Sequence, residues 1–290
     1  MNRGQLTTDA PEDGYHATTM ENLSRLYWAL DMLDLKDDIA IEQFLFINDC
    51  DIFNRFSQDP DQWPQIKATT RDMVCKKKDE FATRFEILVP VSIGPLDKSG
   101  KQYSITPAIS LNNVKQLDVA DNAGAEVCGS KEDMKSYPRS LLLNLAAPVS
   151  ITSIPVTPEL TEHLAALKTL QKAATAVLRL KVRVGKYIDT QRINGSWHAV
   201  TTAALDGYEL YNDSDETKLL FAQDLPRISL GERAERAKKA KAEDDAENTQ
   251  AKSGSLNDLY TADKAPEEND YSAAQGTNPD DPCARGALPF

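Results

Sequence analysis

The side chains of this sequence with most chemistry in them are its four cysteines, its three histidines and a short run of alternating basic residues. Cys50 and Cys75 bracket a stretch that holds Phe53, Phe56 and Trp63. If the flanking segments form an antiparallel helical hairpin, the two thiols approach each other. A disulfide then needs a Cα separation of about 4.4–6.8 Å, which this spacing permits and does not compel. Closing such a loop stabilises a fold by about 3 kcal/mol in the chain-entropy model. A pair of inert buried thiols and a redox or metal role are the other readings of Cys50 and Cys75. No cysteine pair has C-x-x-C spacing, so zinc-ribbon and thioredoxin-like chemistry lose their usual support, and neither metal nor cofactor is expected.

The histidines are His16, His163 and His198. Nucleophilic catalysis needs a base within hydrogen-bond reach of a hydroxyl or thiol. Nothing in the order of residues brings His163 or His198 to such a group. The nucleophile elbow, the H-E-x-x-H helix and the phosphate-binding loop are all missing. No catalytic residue is therefore assigned. Acidic clusters at 48–51, 59–61 and 212–216 hold the oxygen ligands calcium prefers, but the last lacks the glycine and the final glutamate of an EF-hand loop. Solvated turns are the simpler reading, and paired carboxylates for glycoside cleavage are expected at any spacing in so acidic a chain.

The basic run is the most unusual local feature. Arg179, Lys181, Arg183, Lys186 and Arg192 concentrate positive charge within a chain of net charge −12. Leu178, Leu180, Val182 and Val184 alternate with the first three, so a strand would place those three cations on one face. There they could grip an acidic polymer, a phosphate group or an acidic partner surface. The other reading is a face neutralised by Glu209, by neighbouring strands or by an acidic tail folding back.

The chain has 290 residues, 41% of them hydrophobic, which allows one or two domains with a real core. Its negative charge argues against nucleic acid and anionic lipid as partners and favours a Lys/Arg-bearing one. No run of about 18 apolar residues is present, so no transmembrane segment is expected. The N-terminus has no apolar signal region.

The elements that must position these residues follow from the rhythm of apolar side chains. Residues 1–17 read as a flexible lead-in. Residues 18–82 read as three short helices, the first capped by Thr18 with Glu21, the second by Asp37 or Asp38, the third opened by Pro64. Near position 83 the period drops to two. Phe85, Ile87, Val89, Val91 and Ile93 alternate with Arg84, Glu86 and Ser92, and Pro90 suggests an edge or a bulge. Residues 83–228 form a β-rich part, with polar residues 118–137 as a loop. One helix, capped by Thr157, has Leu160, Leu164, Leu167 and Leu170 on its apolar side. Asn194-Gly195 signals a hairpin within a longer loop. Residues 229–247 read as a charged helix or linker and 248–290 as a disordered acidic tail. The expected fold class is α+β, with an N-terminal helical layer packed on a mainly antiparallel sheet or small sandwich or barrel.

The stretch CDIFNRFSQDPDQWPQIK, followed by FATRFEILVPVSIG and later by the basic strand and hairpin, resembles an uncharacterised bacterial family described as a domain of unknown function. The resemblance spans residues 20–225. It implies a bacterial origin and export to the cell envelope, and it carries no catalytic assignment. The expected function is a non-catalytic envelope-associated or secreted module that binds a protein or polymer partner. It would be periplasmic or secreted if a leader is removed and cytoplasmic otherwise. The alternatives are an intracellular scaffold and a hydrolase built from dispersed Asp and Glu with His163 or His198.

Overall fold

The structure, a computed structural model, describes residues 13–111, 114–119, 126–130, 134–193, 196–213 and 215–230. These lie in a compact unit that spans 1–234. The expected tail at 248–290 and most of the linker at 229–247 fall outside the described residues.

Helices α1 (Met20–Ala29), α2 (Asp38–Asn48), α3 (Cys50–Phe56) and α4 (Trp63–Lys77) come first. Strands β1 (Arg84–Leu96), β2 (Gln102–Leu111), β3 (Val114–Asp118), β4 (Ser140–Leu145) and β5 (Val149–Pro155) follow. Helix α5 (Pro158–Thr169) then precedes β6 (Thr175–Ile193), β7 (Ser196–Tyr211) and β8 (Leu219–Asp224). The strands make one curled eight-stranded sheet in the order β3-β4-β7-β6-β1-β2-β5, with β8 also paired to β7. The β4–β7 pair is parallel and the other pairs are antiparallel, so the α+β class and the mainly antiparallel sheet hold.

Helices and sheet share one core. Leu23, Leu26, Ile41 and Val74 meet Phe85, Leu141, Leu143, Leu178 and Leu180, all fully buried. Buried phenols bridge the layers. Tyr27 donates to the carbonyls of Pro138 at 2.9 Å and Ser140 at 3.2 Å, and Tyr137 donates to that of Ala40 at 2.9 Å. Burial pushes both phenols far above their ordinary range, so each stays a donor.

Four details differ from the sequence reading, each for a local reason. The α1 cap is Thr19, whose hydroxyl accepts from the Asn22 N–H, because Thr18 is buried against β1 and donates to the Glu86 carbonyl. The expected second helix is two: Asp49 leaves helical geometry at φ −149 and caps α3 by accepting from the Ile52 N–H. Asp37 does cap α2, and Pro64 sits in the first turn of α4. The expected long loop before Asn194-Gly195 is strand. Ile193 pairs with Ser196, which leaves two residues between β6 and β7. Finally, α5 is capped by Thr157 but buries only Leu160, while Leu170 is 63% exposed.

Pro90 fits its place. β1 pairs with β6 from Arg84 to Ser92 and takes β2 as neighbour only from Ser92 onward. Proline, without an N–H, is tolerated in such a one-sided stretch.

Candidate functional site

Strand β6 has two covered faces. Leu178, Leu180, Val182 and Val184 are at most 3% exposed and face the core. The alternate residues meet carboxylates. In register, Glu86 of β1 stands opposite Lys181, and Glu209 of β7 stands opposite Arg179. Arg179 is itself buried, at 6% exposure, which does not fit the reading of an open basic face at this residue. Its guanidinium meets Asp13 at 2.7 Å, Glu86 at 2.6 Å, Glu209 at 3.1 Å and Glu216 at 3.5 Å. Lys181 meets Asp13 at 3.3 Å and also Glu209. Charge pairs hold a buried cation only when its donors are satisfied, and here they are. Of the two sequence readings, neutralisation is the one realised for Arg179 and Lys181.

Four carboxylates thus surround two cations. Burial works against the charge on Arg179, but Glu86 and Asp13 more than offset it and raise its pKa. Burial also opposes ionisation of Asp13, yet the Tyr15 N–H and Arg179 hold its carboxyl below the usual range. Glu216 is the surplus acid. Burial pushes it up, and burial together with the neighbouring Glu86, Glu209 and Asp13 outweighs its pairing with Arg179.

One residue further along β6 the pattern changes. Lys181 pairs with Gly207 and Val182 with Leu205, so Asp206 is the extra residue of a β-bulge. A bulge re-aims a side chain. The Asp206 carboxylate takes the Arg183 guanidinium at 2.9 Å and 3.0 Å, and accepts from the Tyr15 hydroxyl at 3.0 Å. Burial opposes its charge, but Arg183 and Tyr15 keep its pKa low. Burial and the same carboxylate push the Tyr15 phenol up to about 12. Residues 13–17, expected as flexible, are held in the fold: Tyr15 is buried and His16 bridges Phe85.

Arg183 also lines a surface cleft of about 250 Å³ with Arg84, Arg227, Ile228 and Ser229. Its Nη2 donates to the Ile228 carbonyl at 3.1 Å, and the Leu225 N–H donates to the Asp206 carbonyl at 2.8 Å. Both bonds fix the wall that carries Arg227. Lys186 and Arg192, the remaining basic candidates, lie on the exposed outer part of β6 away from this group.

The helical layer holds the second concave feature, a groove of about 310 Å³ lined by Ile39, Glu42, Gln43, Phe46, Phe53, Ser130 and Met134. A disulfide stands beside it. Cys50 bonds Cys128, with Cα atoms 5.5 Å apart and a sequence separation of 78. This replaces the possible Cys50–Cys75 pairing. Cys75 lies in the last turns of α4, whereas Cys50 starts α3 and meets a separate turn. That turn is tight: Val127 and Ser130 exchange backbone hydrogen bonds of 2.8 Å. Cys128 and Gly129 between them have φ of 50 and 75, the left-handed region a type I′ turn demands. Cys75 is disulfide-bonded too, and among the described residues no cysteine is free.

Aromatic contacts brace the groove. Phe53 packs edge-on against Phe46 at 5.0 Å and Trp63 at 5.6 Å between ring centroids. Glu42 accepts through one oxygen from Trp63 Nε1 at 3.3 Å and Lys67 at 2.9 Å.

The other candidates are dispersed. His163 sits on α5 with Nε2 3.2 Å from the Thr175 carbonyl oxygen, and His198 is half-buried on β7. The acidic clusters serve turns: Asp59 accepts from the Asp61 and Gln62 N–H groups, and Asp213 from Thr217. Among the described residues no group of three or more His, Cys, Asp or Glu side chains is placed to hold a metal, and no helix is long and apolar enough to cross a membrane. Sequence reasoning missed Asp13, Asp206, Arg84 and Arg227 as members of these sites. Only the alternation that put Arg84 and Glu86 on one face of β1 pointed toward them.

The resemblance to an uncharacterised family holds. Residues 36–165 match the model of a family described as Domain of unknown function (DUF4852). The matched segment contains both cysteines of the disulfide and every groove residue named above, but only Arg84 of the arginine cleft. No curated protein and no solved structure matches the chain.

Proposed function

We propose that the chain is a non-catalytic binding module of an oxidising compartment, envelope-associated or secreted, and that it holds a protein partner in the groove of the helical layer. The observation that carries this reading is the Cys50–Cys128 bond. Cys50 belongs to the helix that supplies Phe53, and Cys128 to the turn that supplies Ser130, so the bond ties two walls of one groove. Disulfides persist in oxidising compartments and are rare in the cytosol. The groove chemistry suits a segment with one large apolar side chain beside a basic one. Ile39, Phe46, Phe53 and Met134 supply apolar wall, and the second carboxylate oxygen of Glu42 has no partner among the described residues. The net charge of −12 favours the same kind of partner.

The test is the thiol state in the native cell. Alkylation of the denatured chain without reductant is expected to leave Cys50 and Cys128 unmodified. Full alkylation at both would place the chain in a reducing compartment and favour the intracellular scaffold instead.

A further inference from the structure

We propose that the cleft between Arg84, Arg183 and Arg227 is an anion site that takes a phosphate group. Three arginines line one cleft of about 250 Å³ in a chain of net charge −12. Only one of them is neutralised. Arg183 is paired to Asp206, whereas neither Arg84 nor Arg227 has a hydrogen-bonded or ion-paired carboxylate among the described residues. Asp206, which also faces Arg84 electrostatically, offsets one of the three charges; the like charges that remain repel one another, and a bound anion relieves that cost.

The cleft is also built rather than incidental. Asp206 accepts from the Nε–Nη2 edge of the Arg183 guanidinium and leaves Nη1 without a partner among the described residues. Arg84 is stacked over the Tyr15 ring, 5.9 Å from its centroid, and Tyr15 is itself held by Asp206. Arg227 rides on the segment that both Asp206 and Arg183 tie to the sheet. Ser229 completes the lining.

The surplus of two positive charges selects the ligand. A phosphate group carries about −1.5 to −2 at neutral pH and three acceptor oxygens, which a carboxylate does not. Guanidinium forks match phosphate oxygens in planar, paired hydrogen bonds. The site lies outside the groove of the helical layer, so it stands or falls separately from the function proposed above.

The experiment is calorimetric titration of the full chain with inorganic phosphate, with O-phosphoserine and with acetate. The comparison variant is Arg84→Gln/Arg227→Gln. Both side chains are exposed and unpaired in this way, so its melting temperature is expected to match the wild type. Phosphate is expected to saturate the wild-type chain, with acetate at least about tenfold weaker and the double variant weakened at least about tenfold. Tighter binding of O-phosphoserine points to a phosphorylated ligand and tighter inorganic phosphate to the free ion; either supports the site. Absence of saturable phosphate binding, equal binding of acetate, or binding that the double variant leaves unchanged would overturn it.

Discussion

The helical layer and the outer face of β6 both carry pairs of opposite charge, but water reaches them very differently. Lys76 and Asp72 of α4 are an i,i+4 pair whose side chains are 64% and 52% exposed. Arg179, Glu86 and Glu209 keep 8%, 15% and 13%. The same chemical pairing therefore has two meanings. On α4 the charges decorate a surface, and the shape of the layer rests on the Cys50–Cys128 bond and the Phe46, Phe53, Trp63 cluster. On β6 the charges take the place of a second apolar core. They join β1, β6, β7 and the segment around Asp13 through one guanidinium. A basic stripe in a sequence can thus be the interior of an ionic layer, with the free cations displaced to its margin at Arg84 and Arg227.

Breaking the network tests this contrast most severely. Arg179→Met leaves four carboxylates facing Lys181 alone, and the expected loss in urea unfolding is about 3–5 kcal/mol. A loss within the range of a surface pair would show that the β6 face is only decorated as well. Removing the clamp of the helical layer comes next. Cys50→Ser/Cys128→Ser is expected to lower stability by about 2–4 kcal/mol, given the long loop that the bond closes.

Titration sharpens the comparison further, because the ionic face holds acids whose pKa values are shifted in opposite directions. Asp13 and Asp206 have folded pKa values below their ordinary ones. Their contribution is therefore present above about pH 4 and lost as pH falls through the folded values. Glu216 has a raised folded pKa, so its contribution favours folding at low pH and is lost as pH rises. Glu216→Gln is accordingly expected to stabilise the chain at pH 7 by less than about 1 kcal/mol, with the gain gone near pH 4. Thermal melts across that range read it out, and destabilisation at pH 7 would mean that Glu216 is needed by Arg179. The smallest effect belongs to the exposed pair. Asp72→Asn is expected to cost no more than about 0.5 kcal/mol.

How much of this was legible depends on the range of the interaction. Local periodicity was enough for β1 and β6, because apolar residues recur at every second position from Phe85 to Ile93 and from Leu178 to Val184. Caps were readable within a residue, as Thr157 and Asp37 show, while Thr18 lost its role to Thr19 through a tertiary contact. The disulfide partner was not readable, since β1, β2 and β3 separate Cys128 from Cys50 in sequence and only the tertiary fold brings the two together. The Asp206 bulge was invisible for the same reason: two residues opposing one is a property of a strand pair. Arg179 was placed on the correct face, but its burial depends on Asp13 and Glu216, which approach from distant segments.

The central claim is that the clamped groove, and not the arginine cleft, holds the protein partner. It is tested most directly by quantitative capture from the native organism on immobilised full-length chain. Three baits are compared: wild type, Ile39→Glu and Arg84→Gln/Arg227→Gln. Ile39 is 48% exposed in the first turn of α2, so a glutamate there alters the groove without emptying the core. The expected result is a protein retained by the wild type and by the double arginine variant, and lost at least about tenfold from Ile39→Glu. Equal capture by Ile39→Glu, with loss only in the arginine variant, would contradict the claim.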